Sequence, residues 1–167
     1  NKILLTLRGV FGTIALYLYF VILQEIPLAT ASTLIYLTPL FTSLVGVVVL
    51  KEKMTTTQWI LLFVAFIGIL LIQGYDSRVT VEYIIIGVSG SLLAAFAYSI
   101  IRYLKDKEKS LVLMIYFPMI ACPVGGLVSY FNWVSPSYND YIILIGIGIF
   151  TQFAQYFMTR AFQSSEV

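Results

Sequence analysis

Histidine is absent from this 167-residue sequence, and cysteine occurs once, as Cys122. Without histidine the chain has no base for His-dependent hydrolysis, no His ligand for haem and no His-containing metal site. A lone cysteine excludes a disulfide within the chain. We therefore expect a protein that is not an enzyme and that holds no metal and no cofactor.

Charged residues are also scarce. They make up 11% of the sequence, whereas hydrophobic residues make up 60%. Because a soluble domain carries about 25% charged residues, this apolar excess indicates surfaces that face lipid rather than water. The formal net charge of +2 is too small to indicate a nucleic-acid partner.

Long uncharged runs separate the charged positions, and each run holds about one membrane crossing, which takes roughly 20 apolar residues. Polar or charged turns such as EIP, LKEKMTTTQ and KDKEK lie between the runs. The pattern predicts an all-α integral membrane protein with about six transmembrane helices, at residues 7–25, 29–50, 56–73, 82–104, 111–130 and 141–163.

The basic residues fall almost entirely on one side of this predicted topology. Arg78 is alone on the other side. Because cytoplasmic loops are enriched in Lys and Arg, we predict a multi-pass protein of the plasma or inner membrane, with loops 51–57 and 104–110 in the cytoplasm. The residues on the basic side are Lys2, Arg8, Lys51, Lys53, Arg102, Lys105, Lys107, Lys109 and Arg160.

An internal repeat links the first and the sixth predicted helix. Residues 9–28 align without gaps to residues 148–167, and the alignment pairs Tyr17 with Tyr156 and Gln24 with Gln163. These helices are five crossings apart, so they run in opposite directions. An inverted-topology repeat of this kind is typical of secondary transporters.

Several motifs resemble the EamA-type repeat of the drug/metabolite transporter superfamily. They are Arg-Gly near a helix start, IPLATA at a hairpin, a proline within YLTPLF, and LKEK at a helix end. The later stretch SLLAAFAYSIIRYL resembles the start of a second such repeat, and GIGIFTQFAQYFMTRAF resembles its third helix. The resemblance covers essentially the whole chain.

The family's full form has ten helices, in two inverted five-helix repeats around a central cavity. The resemblance implies that residues 1–76 are helices three to five of the first repeat. It also implies that residues 77–167 are helices one to three of the second repeat. On this reading the chain is a partial one that lacks the terminal helices of the fold.

Polar stripes mark the candidate substrate pathway. A polar stripe in a membrane helix turns away from lipid because unsatisfied polar groups there are costly, and the stripe recurs in both copies of the repeat. Hydrogen bonding between helices is the alternative explanation. The candidates on the two repeat helices are Thr13, Tyr17, Gln24, Gln152, Gln155 and Tyr156.

Three further candidates lie on other helices. Tyr36 and Pro39 share a face of the second helix, where the proline predicts a bend suited either to gating or to a static kink. Tyr98 is the cavity candidate of the fourth helix. We expect Arg102, on the same face, to reach the headgroups, and Glu52 to pair locally with Lys51 or Lys53.

Together these features favour a secondary transporter of small organic metabolites, an exporter or exchanger with alternating access to a central cavity. No acidic residue is predicted near mid-membrane, which favours neutral or zwitterionic solutes and a facilitator or exchanger. The alternative is a non-transporting membrane scaffold or receptor. The expected partners are a small-molecule solute and the lipid bilayer, without nucleic acid, and a homodimer is compatible with this reading.

Overall fold

A computed structural model describes residues 1–73, 79–131 and 133–164 of the chain. These residues form helices and connecting loops, with no strand among them. The predicted boundary between residues 76 and 77, and Arg78, lie outside the described residues. The helices are α1 (Lys2–Glu25), α2 (Leu28–Ile35), α3 (Leu37–Val49), α4 (Thr56–Gln73), α5 (Val81–Tyr103), α6 (Ser110–Phe131) and α7 (Tyr138–Ser164).

The integral membrane fold predicted from the apolar runs is confirmed. Helices α1, α5, α6 and α7, and the α2–α3 segment Leu28–Val49, are each long and apolar enough to cross a membrane. The remaining predicted crossing, the third in chain order, is α4, whose apolar part, Thr56–Ile72, is slightly shorter. Large side chains such as Leu71, Leu127 and Phe150 are more than half exposed on the outside, as lipid-facing residues would be.

The second crossing is broken into α2 and α3 at Tyr36. Pro39 has no N–H with which to bond the carbonyl of Ile35, and its ring crowds that carbonyl. The chain tightens there, since the Tyr36 N–H donates to the carbonyl of Thr33 at 3.1 Å. The helix is thus interrupted three residues before the proline, and the bend predicted from Pro39 stays a prediction.

Helix α5 is the central element of the bundle and runs antiparallel to α1. At one end, Gly87 of α5 meets Ile22 of α1 and Leu34 of α2. At the other end, Leu5 of α1 packs with Ile101 of α5. Small residues on α5 permit this close packing, as the buried Ser91, Ala95 and Ser99 illustrate.

Helices α1 and α7 run in opposite directions. Leu5, near the start of α1, belongs to a buried cluster with Leu104 and Leu113, and Phe162 near the end of α7 packs against the same cluster. Gln163 donates from Nε2 to the carbonyl of Glu108 at 3.1 Å, which ties the end of α7 to the loop between α5 and α6. An inverted repeat requires such opposite directions.

Two predictions about charged residues are wrong. Arg102 does not extend toward the headgroups, because its side chain is only 10% exposed and Nη1 donates to Oε2 of Glu52 at 2.9 Å. Glu52 accordingly pairs with α5 rather than with its neighbours Lys51 and Lys53. The local cause is the backbone: Lys51 adopts a positive φ of 58°, and the Glu52 N–H then bonds the carbonyl of Gly46 at 3.1 Å.

A candidate solute cavity

A cavity of about 300 Å³ lies inside the bundle, among α1, the α2–α3 break, α5, α6 and α7. This volume is at the lower end of the range for small-molecule sites. Gly87, Gly90 and Ala94 form part of the α5 wall, and their small side chains leave space next to α1. Most of the remaining wall is apolar or aromatic.

Four of the predicted pathway residues line this cavity. Tyr36 and Pro39 are at the break between α2 and α3, Tyr98 is on α5 and Gln155 is on α7. Tyr98 stacks on Phe162 of α7, with ring centroids 4.9 Å apart and planes 14° apart. The Oε1 atom of Gln155 is buried and has no hydrogen-bond partner among the described residues.

The other predicted residues lie elsewhere. Thr13 is buried, and its hydroxyl donates to the Gly9 carbonyl at 2.8 Å within α1. Tyr17 is 51% exposed, and the exposed Gln24 donates to the Phe20 carbonyl at 3.2 Å. These contacts are what local packing would produce, so the role of these three residues in a pathway stays a prediction.

The α7 residues divide between two surfaces. Gln152 and Tyr156 border a separate shallow groove on α7, together with Gly148 and Phe153. Gln155 alone of the three predicted α7 residues borders the central cavity. The repeat alignment does not therefore bring both stripes to one space within the described residues.

Arg8 is the cavity residue that the sequence interpretation missed. The apolar runs placed the first helix at residue 7, which made Arg8 a flanking charge, but α1 begins at Lys2 and carries Arg8 into the bundle. The apolar residues Leu4, Leu5 and Leu7 were the available signal for an earlier start. Since Arg8 is not a loop residue, the charge asymmetry rests on the other basic residues.

Arg8 lines the cavity with its side chain almost fully buried, at 2% exposure. Its guanidinium carbon lies 5.1 Å from the ring centroid of Phe117 on α6, within the range of a cation–π contact. The described lining contains no acidic residue. The cavity thus combines one cation, a few neutral polar groups and an extensive apolar wall.

The Ser91 hydroxyl fixes the geometry of the α5 wall. It donates to the carbonyl of Leu34 at 2.7 Å, and both groups are buried. Leu34 is in the last turn of α2, next to the break at Tyr36. The bond therefore ties the broken crossing to α5 beside the cavity.

Comparison with known families gives a match over the first part of the chain. Residues 2–74 match the EamA-like transporter family. No solved structure matches the chain significantly.

The chain is also similar to several curated transporters. It is 29% identical to the pseudopaline exporter CntI of Pseudomonas aeruginosa, over 95% of this chain and 57% of that protein. It is 25% identical to an S-adenosylmethionine uptake transporter of Rickettsia prowazekii, over 81% and 46% of the two chains. It is 28% identical to a riboflavin transporter of Brucella anthropi, over 86% and 53%. The chain spans about half the length of these relatives.

Proposed function

Because residues 2–74 match the EamA-like transporter family, we propose that this protein is a secondary transporter of small organic metabolites, working as an exporter or an exchanger. The cavity of about 300 Å³ between α1, α5 and α7 is the observation that carries the proposal. It lies within helices long enough to span a bilayer, where a solute on its way across would be held.

The helix break at Tyr36 supplies a place for movement beside the cavity. Tyr36 and Pro39 both belong to the cavity wall, so a change of angle between α2 and α3 would reshape the binding space. Alternating access needs such an element, with two arrangements open to opposite sides. In this proposal the cavity lies between inverted repeats, with residues 1–76 and 77–167 contributed by the two copies.

We infer the direction of membrane insertion from the end of the bundle where most lysines lie. The Glu52–Arg102 pair and the Leu5–Leu104 cluster bring the loop after α3 and the loop after α5 to one end. With Lys51, Lys53 and the lysines of residues 105–109 at that end, we place it in the cytoplasm, and the protein in the plasma membrane.

The solutes of the three relatives support small organic molecules as cargo, but one relative is an exporter and another is an uptake transporter. The cavity wall has no acidic residue among the described residues, which favours facilitation or exchange over a proton relay built on a cavity carboxylate. Thr13, Tyr17, Gln24, Gln152 and Tyr156 stay candidates for the pathway outside the described cavity.

Flux across a membrane is the experiment that tests this function. The full natural protein that contains this sequence is reconstituted in proteoliposomes loaded with labelled amino acids, carboxylic acids, nucleosides and vitamins. We expect efflux or exchange of at least one solute above that of protein-free liposomes. A folded protein that moves none of them would favour the scaffold or receptor alternative.

A further inference from the structure

Arg8 is a buried cation, and the described cavity lining gives it no acidic partner. Its side chain is 2% exposed, and its Nε and Nη1 atoms are buried without a hydrogen-bond partner among the described residues. Arginine stays charged under all ordinary conditions, and a buried charge is unfavourable unless it is paired. An anionic group bound in the cavity that Arg8 lines would therefore stabilise this guanidinium.

The side chain is directed into the bundle rather than toward its end. Arg8 follows the start of α1 at Lys2 by about 9 Å of helix, at a rise of 1.5 Å per residue. Its Nη1 atom lies 3.8 Å from the position that a Cβ on Gly12 would occupy, one turn further along the helix. The missing side chain at Gly12 thus leaves room for the guanidinium next to the cavity.

The ring of Phe117 contacts the guanidinium but leaves its N–H groups unsatisfied. The 5.1 Å cation–π contact favours the charge through the face of the ring. A ring face does not replace the acceptors that the N–H donors in the guanidinium plane require. The donors at Nε and Nη1 therefore remain without an acceptor among the described residues.

We propose that the cavity binds an organic solute through its carboxylate group, with Arg8 as the carboxylate-binding residue. A planar carboxylate accepts two parallel bonds from one guanidinium. Arg8 is the one charged residue of the described lining, so it balances a monoanion, whereas a doubly charged phosphate would need a second cation. This inference rests on the proposed transport function.

The remainder of the wall indicates what the rest of the solute is. Phe117, Phe162 and Tyr36 offer apolar or aromatic surface, and the unpaired Oε1 of Gln155 offers a neutral polar contact. A solute with a carboxylate for Arg8, an apolar body for the aromatic wall and an N–H or O–H donor for Gln155 would use all three kinds of contact. Zwitterionic amino acids and amphipathic carboxylic acids both fit this description.

Competition by matched solutes tests the proposal in the proteoliposome assay. L-Phenylalanine is compared with L-phenylalaninamide, and 3-phenylpropionate with 3-phenylpropanamide and phenyl phosphate, as inhibitors of whichever solute the protein moves. Because hydrogen bonds to a charged group are the strong ones, the carboxylates should inhibit at concentrations about tenfold lower than the amides. In Arg8→Gln this ratio should fall to about one.

Arg160→Gln is the matched control. Arg160 is an exposed arginine on α7, and its replacement removes the same charge without changing the cavity, so the ratio should stay at the wild-type value. Should Arg8→Gln fail to fold, the wild-type ratio still shows whether the cavity prefers a carboxylate to an amide. Arg8→Lys keeps the positive charge and should retain a preference for carboxylates.

The outcomes separate this proposal from the function it rests on. Absence of flux for every solute would contradict transport itself. Flux with equal inhibition by carboxylates and amides, stronger inhibition by phenyl phosphate, or a carboxylate preference that persists in Arg8→Gln would overturn the role of Arg8 and leave transport standing.

Discussion

At the scale of single residues, Gly9 controls how closely α1 approaches α6. A Cβ on Gly9 would lie 2.7 Å from the carbonyl oxygen of Tyr116 and 2.6 Å from Cδ1 of Ile120. The isoleucine side chain can turn away, but the backbone of α6 cannot move without shifting the helix. Gly9 neighbours Arg8, so this contact also sets where the guanidinium meets Phe117.

We predict that Gly9→Ala destabilises the protein by about 1–3 kcal/mol, the usual cost of overpacking. Gly68→Ala on α4 is the control, because nothing lies within 4 Å of the added methyl group. That change should be neutral or stabilising by up to about 1 kcal/mol, since alanine favours helix more than glycine does. Unfolding by SDS in mixed micelles measures both, and equal stability of the two variants would refute the close-contact role of Gly9.

The residues of the cavity were only partly predictable, for a physical reason. Tyr36, Pro39, Tyr98 and Gln155 carry polarity or a backbone restriction that shows in the sequence, and the structure brings them to one cavity. Arg8 is also polar, but whether it is interpreted as a flanking charge or as a residue inside the bundle depends on where the helix starts. Helix starts are less evident than helix centres when no capping residue marks them, and Asn1 makes no side-chain cap hydrogen bond.

At the scale of helices, the loop after α3 is joined to α5 by the ion pair of Glu52 and Arg102. Arg102 also lies over Phe162 of α7, with its guanidinium carbon 5.7 Å from the ring centroid. Gly46 makes the pair feasible, because a Cβ there would contact the Glu52 carboxylate. The loop after α3 and the helices α5 and α7 therefore meet at this pair.

A double-mutant cycle tests the pair. Combining Glu52→Gln with Arg102→Gln should give a coupling of about 1–2 kcal/mol, between the values of exposed and buried pairs. The cycle of Glu52→Gln with Lys53→Gln should give a coupling near zero. Stability is followed by SDS unfolding, and a larger coupling with Lys53 would restore the local pairing that the sequence suggested.

Helix positions were predictable because each crossing is a long apolar run bounded by charges or turns. The division of the second crossing into α2 and α3 was foreshadowed by Pro39, although the break at Tyr36 follows from the lost bond to the carbonyl four residues earlier. The partner of Glu52 was not predictable. It depends on the positive φ of Lys51 and on the packing of α5 against α3, which no local pattern encodes.

At the scale of the whole molecule, the cavity lies beside the break between α2 and α3 and among the helices that the cavity residues belong to. Helix α5 packs against α1, and its small residues leave the space that α1, α3 and α7 close. The opposite directions of α1 and α7 were predictable from an odd number of crossings between aligned segments. Which stripe faces the cavity was not, because rotation of a helix about its own axis is set by packing between helices.

The central claim is that the cavity is the route of the solute, and filling it tests this most directly. Ala94 lies in the α5 wall, so Ala94→Phe places a ring in a space of about 300 Å³. Ala65→Phe adds the same ring to the exposed face of α4. In proteoliposomes of the full natural protein, with folding of both variants verified by SDS unfolding, Ala94→Phe should reduce flux to the level of protein-free liposomes and Ala65→Phe should retain wild-type flux. Wild-type flux through a folded Ala94→Phe variant would contradict the account.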